Sequence, residues 1–317
     1  MPAFETPEPI AVTLELEAGS AHITAGKRTD TVVEVLPRDG SDDNDMRAVE
    51  QTQVSFSGGR LVVKAPKKRS PFGKPGFIEV TVELPAGSDV RGTTAMGGLF
   101  CSGRIGDVRL KTSLGDLQVD EAAAAELRTD HGDIRLTRAT GDVDITGSGR
   151  IAVGTVAGAA TVKNSNGGTE IREVTGALTT DAANGDISVG IAHGAVGAKC
   201  ANGRIEVGVA HAGVDAEAAS GHIRVSDAIR GRIDLRTSVG NLEVGIHEDT
   251  AAWLDVQATY GTVRNALGSA TAPAGGDETV EVCARTSAAD GAPTGIVHSA
   301  GYHLKITTEG KRVTALH

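Results

Sequence analysis

The chain has 317 residues, of which 42 are glycine, 10 are proline and 3% are aromatic, and its formal net charge is −10 at pH 7. An acidic net charge favours solubility and gives no attraction to the phosphates of nucleic acids or anionic membranes, so we expect no nucleic-acid partner. No run of about 18 or more apolar residues occurs, which predicts no transmembrane helix and no membrane insertion.

The first residues and the cysteines bear on the cellular compartment. The segment Met1–Thr6 lacks the basic stretch and apolar run of a signal peptide. This predicts a cytoplasmic location, or a surface location if a signal has been removed. Cys101, Cys200 and Cys283 are far apart and odd in number, which is unsuitable for a disulfide framework. We therefore expect reduced thiols.

Residues 1–95 are predicted to form a β-rich cap together with the first coils of a repeat. An acidic loop at 39–45 and a basic loop at 67–76 interrupt the strand pattern, and a short helix is expected near Asp45. Because an uncovered coil presents unpaired backbone groups, this zone should close the end of the repeat. The predicted strands are Ile10–Leu16, Thr31–Leu36, Arg60–Lys64 and Phe77–Leu84, with an early coil at Ala18–Ala25.

Residues 96–268 repeat a short phrase of glycine, any residue, an aliphatic, a polar residue and a second aliphatic. Successive copies are 17 to 19 residues apart, and a weaker glycine series lies between them. Each unit of about 18 residues therefore holds two short strands, which suits one coil of a solenoid and leaves no room for a helix. The predicted fold is all-β, a parallel β-solenoid with β-rich capping regions at both ends. The clearest copies begin at Gly115, Gly132, Gly149, Gly185, Gly203, Gly221 and Gly240.

Alternation within each copy predicts which side chains enter the core. The residues two and four after the glycine, such as Ile187 and Val189, are aliphatic in nearly every copy and share one face of a strand. The residues five positions before the glycine are also predicted to point inward. In the middle coils this position holds the small residues Ala198 and Ala216, so the core is expected to be narrower there. A third inward column contains Thr112, Thr129, Thr146, Ala182, Cys200 and Thr237.

Residues 269–317 are predicted to supply closing strands after a linker of small residues. The candidate strands are Glu278–Cys283 and Tyr302–Thr307. Trp253 and Tyr260 fall in the last coils, where large rings can fill the end of a thin core.

Three stretches carry a resemblance to a known family. The run Ile78–Val90, the Gly-Asp-aliphatic repeats and the run Val280–Ser287 resemble the DUF4097 family of bacterial proteins, often labelled adhesins. The resemblance covers nearly the whole chain and implies a parallel β-solenoid without catalytic residues. The segment Thr286–Pro293 lacks the aromatic-Gly-Asp phrase of similar sequences, so the last coil is expected to be interrupted by a loop.

Four aspartates form the candidate binding patch. Asp116 and Asp133 each follow a repeat glycine, and adjacent coils lie about 4.8 Å apart. The two carboxylates are therefore expected to approach one another, with His131 nearby. Asp107 and Asp142 begin copies of the weaker series and would extend the patch. Such neighbours suit metal or acid–base work, but the interpretation as solvated repeat positions is favoured, because like charges side by side need only water to coexist. By the same spacing, Asp186 and Arg204 are predicted to form a cross-strand ion pair.

Metal and nucleophilic chemistry find little support in the sequence. His193 and His211 are 18 residues apart and are predicted to stack at one corner. A stacked pair could hold zinc or nickel with a third ligand, but no cysteine or carboxylate of the usual spacing accompanies it, so no metal or other cofactor is predicted. No nucleophile elbow, phosphate loop or dinucleotide fingerprint is present, and we expect no enzyme.

The predicted function is a non-enzymatic scaffold or binding module that presents flat repeat faces to a protein or glycan partner. Two alternatives remain open. Uncapped coils would allow self-association into a structural assembly, and a groove lined by acids would indicate a carbohydrate-active β-helix enzyme. The scarcity of aromatic residues, which stack on sugar rings, counts against the enzyme.

Overall fold

The computed structural model describes residues 2–66, 75–247, 251–258, 262–264, 279–284 and 294–309, with side chains for the first two ranges. The protein is a parallel β-solenoid of about nine turns with coils of about 18 residues, as the glycine period predicts. It divides into two compact units, Met1–Ala157 and Gly158–His317. The three-part division predicted from the sequence, after residues 95 and 268, stays a prediction.

Unit 1 contains one helix and fifteen strands in its described residues. They are β1 (Ala3–Glu5), β2 (Ala11–Glu15), β3 (Gly19–Gly26), β4 (Asp30–Pro37), α1 (Asp43–Gln51), β5 (Gln53–Ser57), β6 (Arg60–Lys64), β7 (Ile78–Pro85), β8 (Asp89–Met96), β9 (Leu99–Arg104), β10 (Asp107–Leu114), β11 (Leu117–Ala122), β12 (Ala124–His131), β13 (Ile134–Ala139), β14 (Val143–Gly147) and β15 (Ile151–Val156).

Parallel pairing sorts the strands of unit 1 into two sheets. Sheet A1 runs β6, β2, β8, β10, β12 and β14, with β5 antiparallel at its edge. Sheet B1 runs β7, β3, β9, β11, β13 and β15, with β4 and then β1 added antiparallel. Each coil thus contributes one strand to each sheet. We call the turn from an A strand to a B strand the first corner, and the return turn the second corner.

The N-terminal end of unit 1 is held by local polar contacts and one ring contact. Helix α1 begins after Asp42, whose carboxylate accepts from the Asn44 N–H at 2.7 Å, which confirms the helix expected near Asp45. The buried Asp45 accepts from the Phe77 N–H at 2.6 Å. The rings of Phe4 and Phe56 meet at 5.0 Å between β1 and β5. No helix in the described residues has the length and hydropathy needed to cross a membrane.

Unit 2 repeats the same two-sheet coil. Its described strands are β16 (Ala160–Asn166), β17 (Thr169–Val174), β18 (Leu178–Asn184), β19 (Ile187–Ala192), β20 (Val196–Asn202), β21 (Ile205–Ala210), β22 (Val214–Ser220), β23 (Ile223–Ala228), β24 (Gly231–Ile246), β25 (Ala251–Ala258), β26 (Thr262–Arg264), β27 (Thr279–Ala284) and β28 (Thr294–Glu309).

Sheet A2 contains β16, β18, β20, β22 and the first half of β24. Sheet B2 contains β17, β19, β21, β23 and the second half of β24. At the C-terminal end the pattern turns antiparallel, because β28 runs along both halves of β24, and β25 pairs with β27 and β28. The strands expected in the closing region are therefore present as β27 and β28.

The core follows the predicted columns, with one exception. Ile187, Val189 and Ala198 are each 0–1% exposed, so alternation identified the inward side correctly. Thr146 is the exception, because it pairs with the exposed Arg128 on the outer side of sheet A1 and Gly147 is buried instead. Val256 lies in β25, of which only the backbone is described, so its predicted inward side chain stays a prediction.

The first corner is built around glycine. Gly185 has a φ of +125°, and a Cβ on it would lie 2.2 Å from the carbonyl oxygen of Gly167 in the coil before. A side chain from the inward column closes the same turn: the Thr129 hydroxyl donates to the Gly115 carbonyl at 3.0 Å. Consecutive corners therefore stack backbone on backbone, which only glycine permits.

Thr180 offers a test of the core assignment. Its hydroxyl is buried in the inward column and finds no hydrogen-bond partner among the described residues. A buried unpaired polar group is unfavourable, so Thr180→Val should raise the free energy of unfolding by about 1 kcal/mol. Urea-induced unfolding of Thr180→Val and of the outward Thr179→Val would show it. A loss of stability in Thr180→Val would contradict the assignment.

Candidate functional site

The residue after the corner glycine binds the backbone of the next coil. The Asp133 N–H donates to Asp116 Oδ1 at 2.8 Å, and the Arg150 N–H donates to Asp133 Oδ1 at 2.8 Å. The structure therefore brings Asp116 and Asp133 together at an exposed corner. Each carboxylate accepts a hydrogen bond that links two coils, which gives it a structural role.

The same contact recurs in unit 2 and changes the interpretation of one predicted ion pair. The Arg204 N–H donates to Asp186 Oδ1 at 2.8 Å. The Arg204 guanidinium instead meets Glu206, with Nη1 3.3 Å from Oε1. The spacing correctly placed Asp186 beside Arg204, but their contact is a hydrogen bond from the Arg204 backbone N–H to the Asp186 carboxylate and not the predicted ion pair.

Asp107 and Asp142 lie at the second corner, at the other end of the A1 strands. Strand β10 separates Asp107 from the first corner by eight residues, a span of about 26 Å. Asp107 is next to Ala124, and Ala125 pairs with Val143, so a whole coil separates Asp107 from Asp142. The Asp107 N–H donates to Asp89 Oδ1 at 2.9 Å. The structure does not gather the four predicted aspartates into one patch.

His193 and His211 stack as the 18-residue spacing predicts. Their ring centroids are 4.7 Å apart and their planes are inclined by 18°. His193 Nε2 lies 3.2 Å from Glu173 Oε1, one coil earlier. Within residues 2–66 and 75–247, no three His, Cys, Asp or Glu side chains are arranged so that they could hold a metal ion.

The outer face of sheet A2 carries an ordered column of charges. Consecutive strands pair Lys163 with Asp181, Asp181 with Lys199, Lys199 with Glu217 and Glu217 with Arg236. The sign of the charge therefore alternates from strand to strand, and Lys199 Nζ lies 3.9 Å from Glu217 Oε2. We call this column the charge ladder.

Asparagines lie at the first-corner end of the same strands. Asn166, Asn184 and Asn202 pair in register at the ends of β16, β18 and β20. The Asn202 amide donates to Asn184 Oδ1 at 3.1 Å. The first corner beside sheet A2 thus carries a row of exposed amides in register.

A buried carboxylate near the end of this face was missed by the sequence analysis. Asp234 occupies an outward position, paired with Asp215, yet its side chain is only 4% exposed. Arg232 Nη2 and Arg236 Nη2 lie 2.8 and 2.9 Å from Asp234 Oδ2. The alternating Arg-Ile-Asp-Leu-Arg segment places all three charged groups on one side of the strand. This alternation of charged and aliphatic residues is the sequence signal from which the cluster could have been predicted.

A family model described as Toastrack DUF4097 matches residues 13–272. The chain belongs to the Toastrack DUF4097 family. The match spans both units, and it confirms the resemblance seen in the sequence.

Two solved structures are similar to this Toastrack chain. One, from Bacteroides fragilis, is described as a "putative adhesin"; it is 16% identical, with a TM-score of 0.33, and the match covers 71% of this chain and 87% of that one. The other, from Parabacteroides distasonis, has the same description; it is 10% identical, with a TM-score of 0.34, and the match covers 74% and 91%. No curated protein matches the chain.

The corner aspartates of this Toastrack chain permit a direct test of their structural role. Asparagine keeps the Oδ1 acceptor, so Asp116→Asn/Asp133→Asn should leave the free energy of unfolding almost unchanged. Asp116→Ala/Asp133→Ala removes two acceptors and should lower it by about 2 kcal/mol. Urea unfolding would measure both variants, and equal destabilisation by Asn and Ala would contradict the hydrogen-bonding role.

The two cysteines with described side chains should be unreactive in the folded protein. Burial raises the pKa of the Cys101 thiol to about 12, and burial also raises the pKa of Cys200. Because the thiolate is the nucleophile, both thiols stay protonated and inert at pH 8. Iodoacetamide labelling followed by site-resolved mass spectrometry should modify them only after unfolding. Rapid labelling of Cys101 in the native protein would contradict this.

Proposed function

We propose that this Toastrack chain is a non-enzymatic scaffold that presents the outer face of sheet A2 to a protein or glycan partner. The observation that carries the proposal is the charge ladder, which fixes five charged side chains in register on a flat surface. Charged groups arranged in this way select a partner of complementary pattern and suppress others.

The size of the face sets the kind of partner it suits. Five strands at about 4.8 Å spacing and seven residues per strand give a surface of about 19 by 23 Å. The area of this surface is smaller than the roughly 800 Å² that each partner contributes to a standard interface. A single extended segment of a partner fits such a face better than a large globular surface.

The candidate chemical groups support a scaffold more than an enzyme. Asp116 and Asp133 accept backbone hydrogen bonds, and the Cys101 and Cys200 thiols are buried. An acid–base pair needs carboxylates directed at a substrate, and these carboxylates are directed at the next coil. The cytoplasmic location expected from the sequence stays a prediction.

Affinity capture with the intact chain tests the proposed face. Lysate of the source organism is passed over the wild type, over Lys163→Glu/Lys199→Glu and over Glu170→Lys/Glu206→Lys. Each double variant reverses two charges that are two coils apart, the first pair on A2 and the second on B2. Because the reversed charges of the A2 variant lie opposite Asp181 and Glu217, a melting curve first establishes that this variant is folded. We expect a partner that is lost only with the folded A2 variant. A partner retained by that variant would exclude the face.

Glycan arrays test for a glycan partner, and light scattering tests for self-association. Binding to a glycan that disappears with Lys163→Glu/Lys199→Glu would identify a glycan-binding face. Particle size that grows with protein concentration, unaffected by that variant, would instead indicate self-assembly and would contradict the proposal.

A further inference from the structure

All Asn-Gly sequences of the chain lie at one corner of unit 2. They occupy the first corner in three consecutive coils, and all three asparagine side chains are exposed. The sequences are Asn166-Gly167, Asn184-Gly185 and Asn202-Gly203. Water therefore reaches side-chain amides that stand directly before a glycine, which is the arrangement that favours deamidation.

Deamidation begins when the backbone nitrogen of the following residue attacks the asparagine side chain. That nitrogen bonds to the side-chain Cγ, its proton passes through solvent to the side-chain amide, and the amide leaves as ammonia. Water then opens the resulting succinimide ring at either carbonyl, which gives aspartate or isoaspartate. A following glycine reacts fastest, because no side chain hinders its nitrogen. The first step requires that the glycine N–H is free.

In the folded chain the next coil engages each of these glycine N–H groups. The hydrogen bonds run from Gly167 to the Asn184 carbonyl at 2.9 Å, from Gly185 to the Asn202 carbonyl at 2.9 Å, and from Gly203 to the Ser220 carbonyl at 3.1 Å. A donated N–H is harder to deprotonate and is held away from the preceding side chain. The attack therefore has to wait until the corner opens locally.

The isoaspartate product does not fit the closed corner. In isoaspartate the Cβ atom becomes part of the main chain, which is then one atom longer. At Gly185 the stacked backbones leave no space, since even a Cβ there would lie 2.2 Å from the Gly167 carbonyl oxygen. A corner that has reacted in this way cannot return to its original contact with the neighbouring coil.

We propose that the first corner beside sheet A2 is a deamidation site that is closed in the folded coil and reacts only when the corner opens. Three successive coils carry the reactive pair, so the site covers a continuous stretch of the solenoid. An opening that leads to reaction is then made permanent in the covalent structure. This modification site is independent of the partner proposed for sheet A2.

Peptide mapping by mass spectrometry tests the proposal. The full chain and synthetic peptides spanning the same three sequences are incubated in parallel at pH 8, and deamidation is followed at each asparagine. We expect Asn166, Asn184 and Asn202 to react at least about tenfold more slowly in the folded chain than in the peptides, because a hydrogen bond must first be broken. Equal rates in the chain and in the peptides would overturn the proposal.

Ser57→Asn provides a matched control within the same chain. It places an asparagine before Gly58 in the exposed turn between β5 and β6, and the Gly58 N–H donates to no acceptor among the residues that the structure describes. We expect the introduced asparagine to react at least about tenfold faster than Asn184 in the same sample. An introduced asparagine as slow as Asn184 would show that the hydrogen bond is not what protects the corner.

Hydrogen exchange measures the opening of the corner independently. Exchange of the Gly185 N–H and deamidation of Asn184 require the same hydrogen bond to break, so folding should slow both reactions by the same factor, within about threefold. Deamidation of Asn184 that is slowed much less than exchange at Gly185 would mean that the closed corner reacts, and it would overturn the proposal.

Discussion

Ile187→Asp is expected to unfold the coils around it in unit 2. Ile187 is 0% exposed and pairs with Thr169 on one side and Ile205 on the other. The substitution removes a buried aliphatic side chain and places an unpaired charge between two coils. We expect a loss of about 5 kcal/mol, which is comparable to the whole stability of many domains.

Ser188→Asp is the matched control, because the neighbouring side chain points outward and is exposed. It introduces the same group one residue away, opposite Glu170 and Glu206 of the neighbouring strands, and this exposed like-charge contact should lower the free energy of unfolding by no more than about 1 kcal/mol. Circular dichroism melts of both variants decide the point. A melt of Ile187→Asp that coincides with that of the wild type would refute the inward assignment.

Gly185→Ala should have the second largest effect. At φ +125° a Cβ is strained, and it would overlap the Gly167 carbonyl oxygen at 2.2 Å. The corner also carries a hydrogen bond from the Gly185 N–H to the Asn202 carbonyl at 2.9 Å, so a displaced corner disturbs two neighbouring coils. We expect the free energy of unfolding to fall by about 3 kcal/mol.

Gly168→Ala provides the comparison for the corner glycine. A Cβ on Gly168 would meet its nearest atom, the Asp186 carbonyl oxygen, at 3.9 Å, an ordinary contact. This substitution should be neutral or slightly stabilising, because alanine restricts the unfolded chain. Urea unfolding of the pair would separate corner geometry from the general effect of losing a glycine. Equal losses in both variants would contradict the stacked-corner model.

The coil and its inward columns were predictable because period two and period 18 are visible in the side chains themselves. Ile187 and Val189 needed only their alternation and their distance from Gly185. Thr146 was misplaced because it was counted back from Gly149, whereas the structure pairs it with Arg128 and buries Gly147 in its place. Spacing measured from a glycine therefore fails where the register inside a coil shifts by one residue.

The candidate site was harder to predict, because sequence spacing does not reveal the cross-section of the coil. Asp107 and Asp116 are nine residues apart in one coil: Asp107 begins β10, and Asp116 lies at the corner beyond its other end. Asp234 is 4% exposed and engaged by Arg232 and Arg236 of its own strand, whereas Asp215, at the paired position one coil earlier, is 64% exposed. Position within the repeat therefore does not predict the burial of an outward side chain.

The charge ladder also bears on how the chain folds. Coils of nearly identical sequence risk pairing with the wrong neighbour, since the core residues of one coil fit almost any other. If one coil were skipped, Lys163 would face Lys199 and Asp181 would face Glu217, and like charges directly opposite one another are destabilising. The alternating charges therefore disfavour pairing between a coil and the second coil along the chain. In this way the charge ladder favours the native order of the coils during folding.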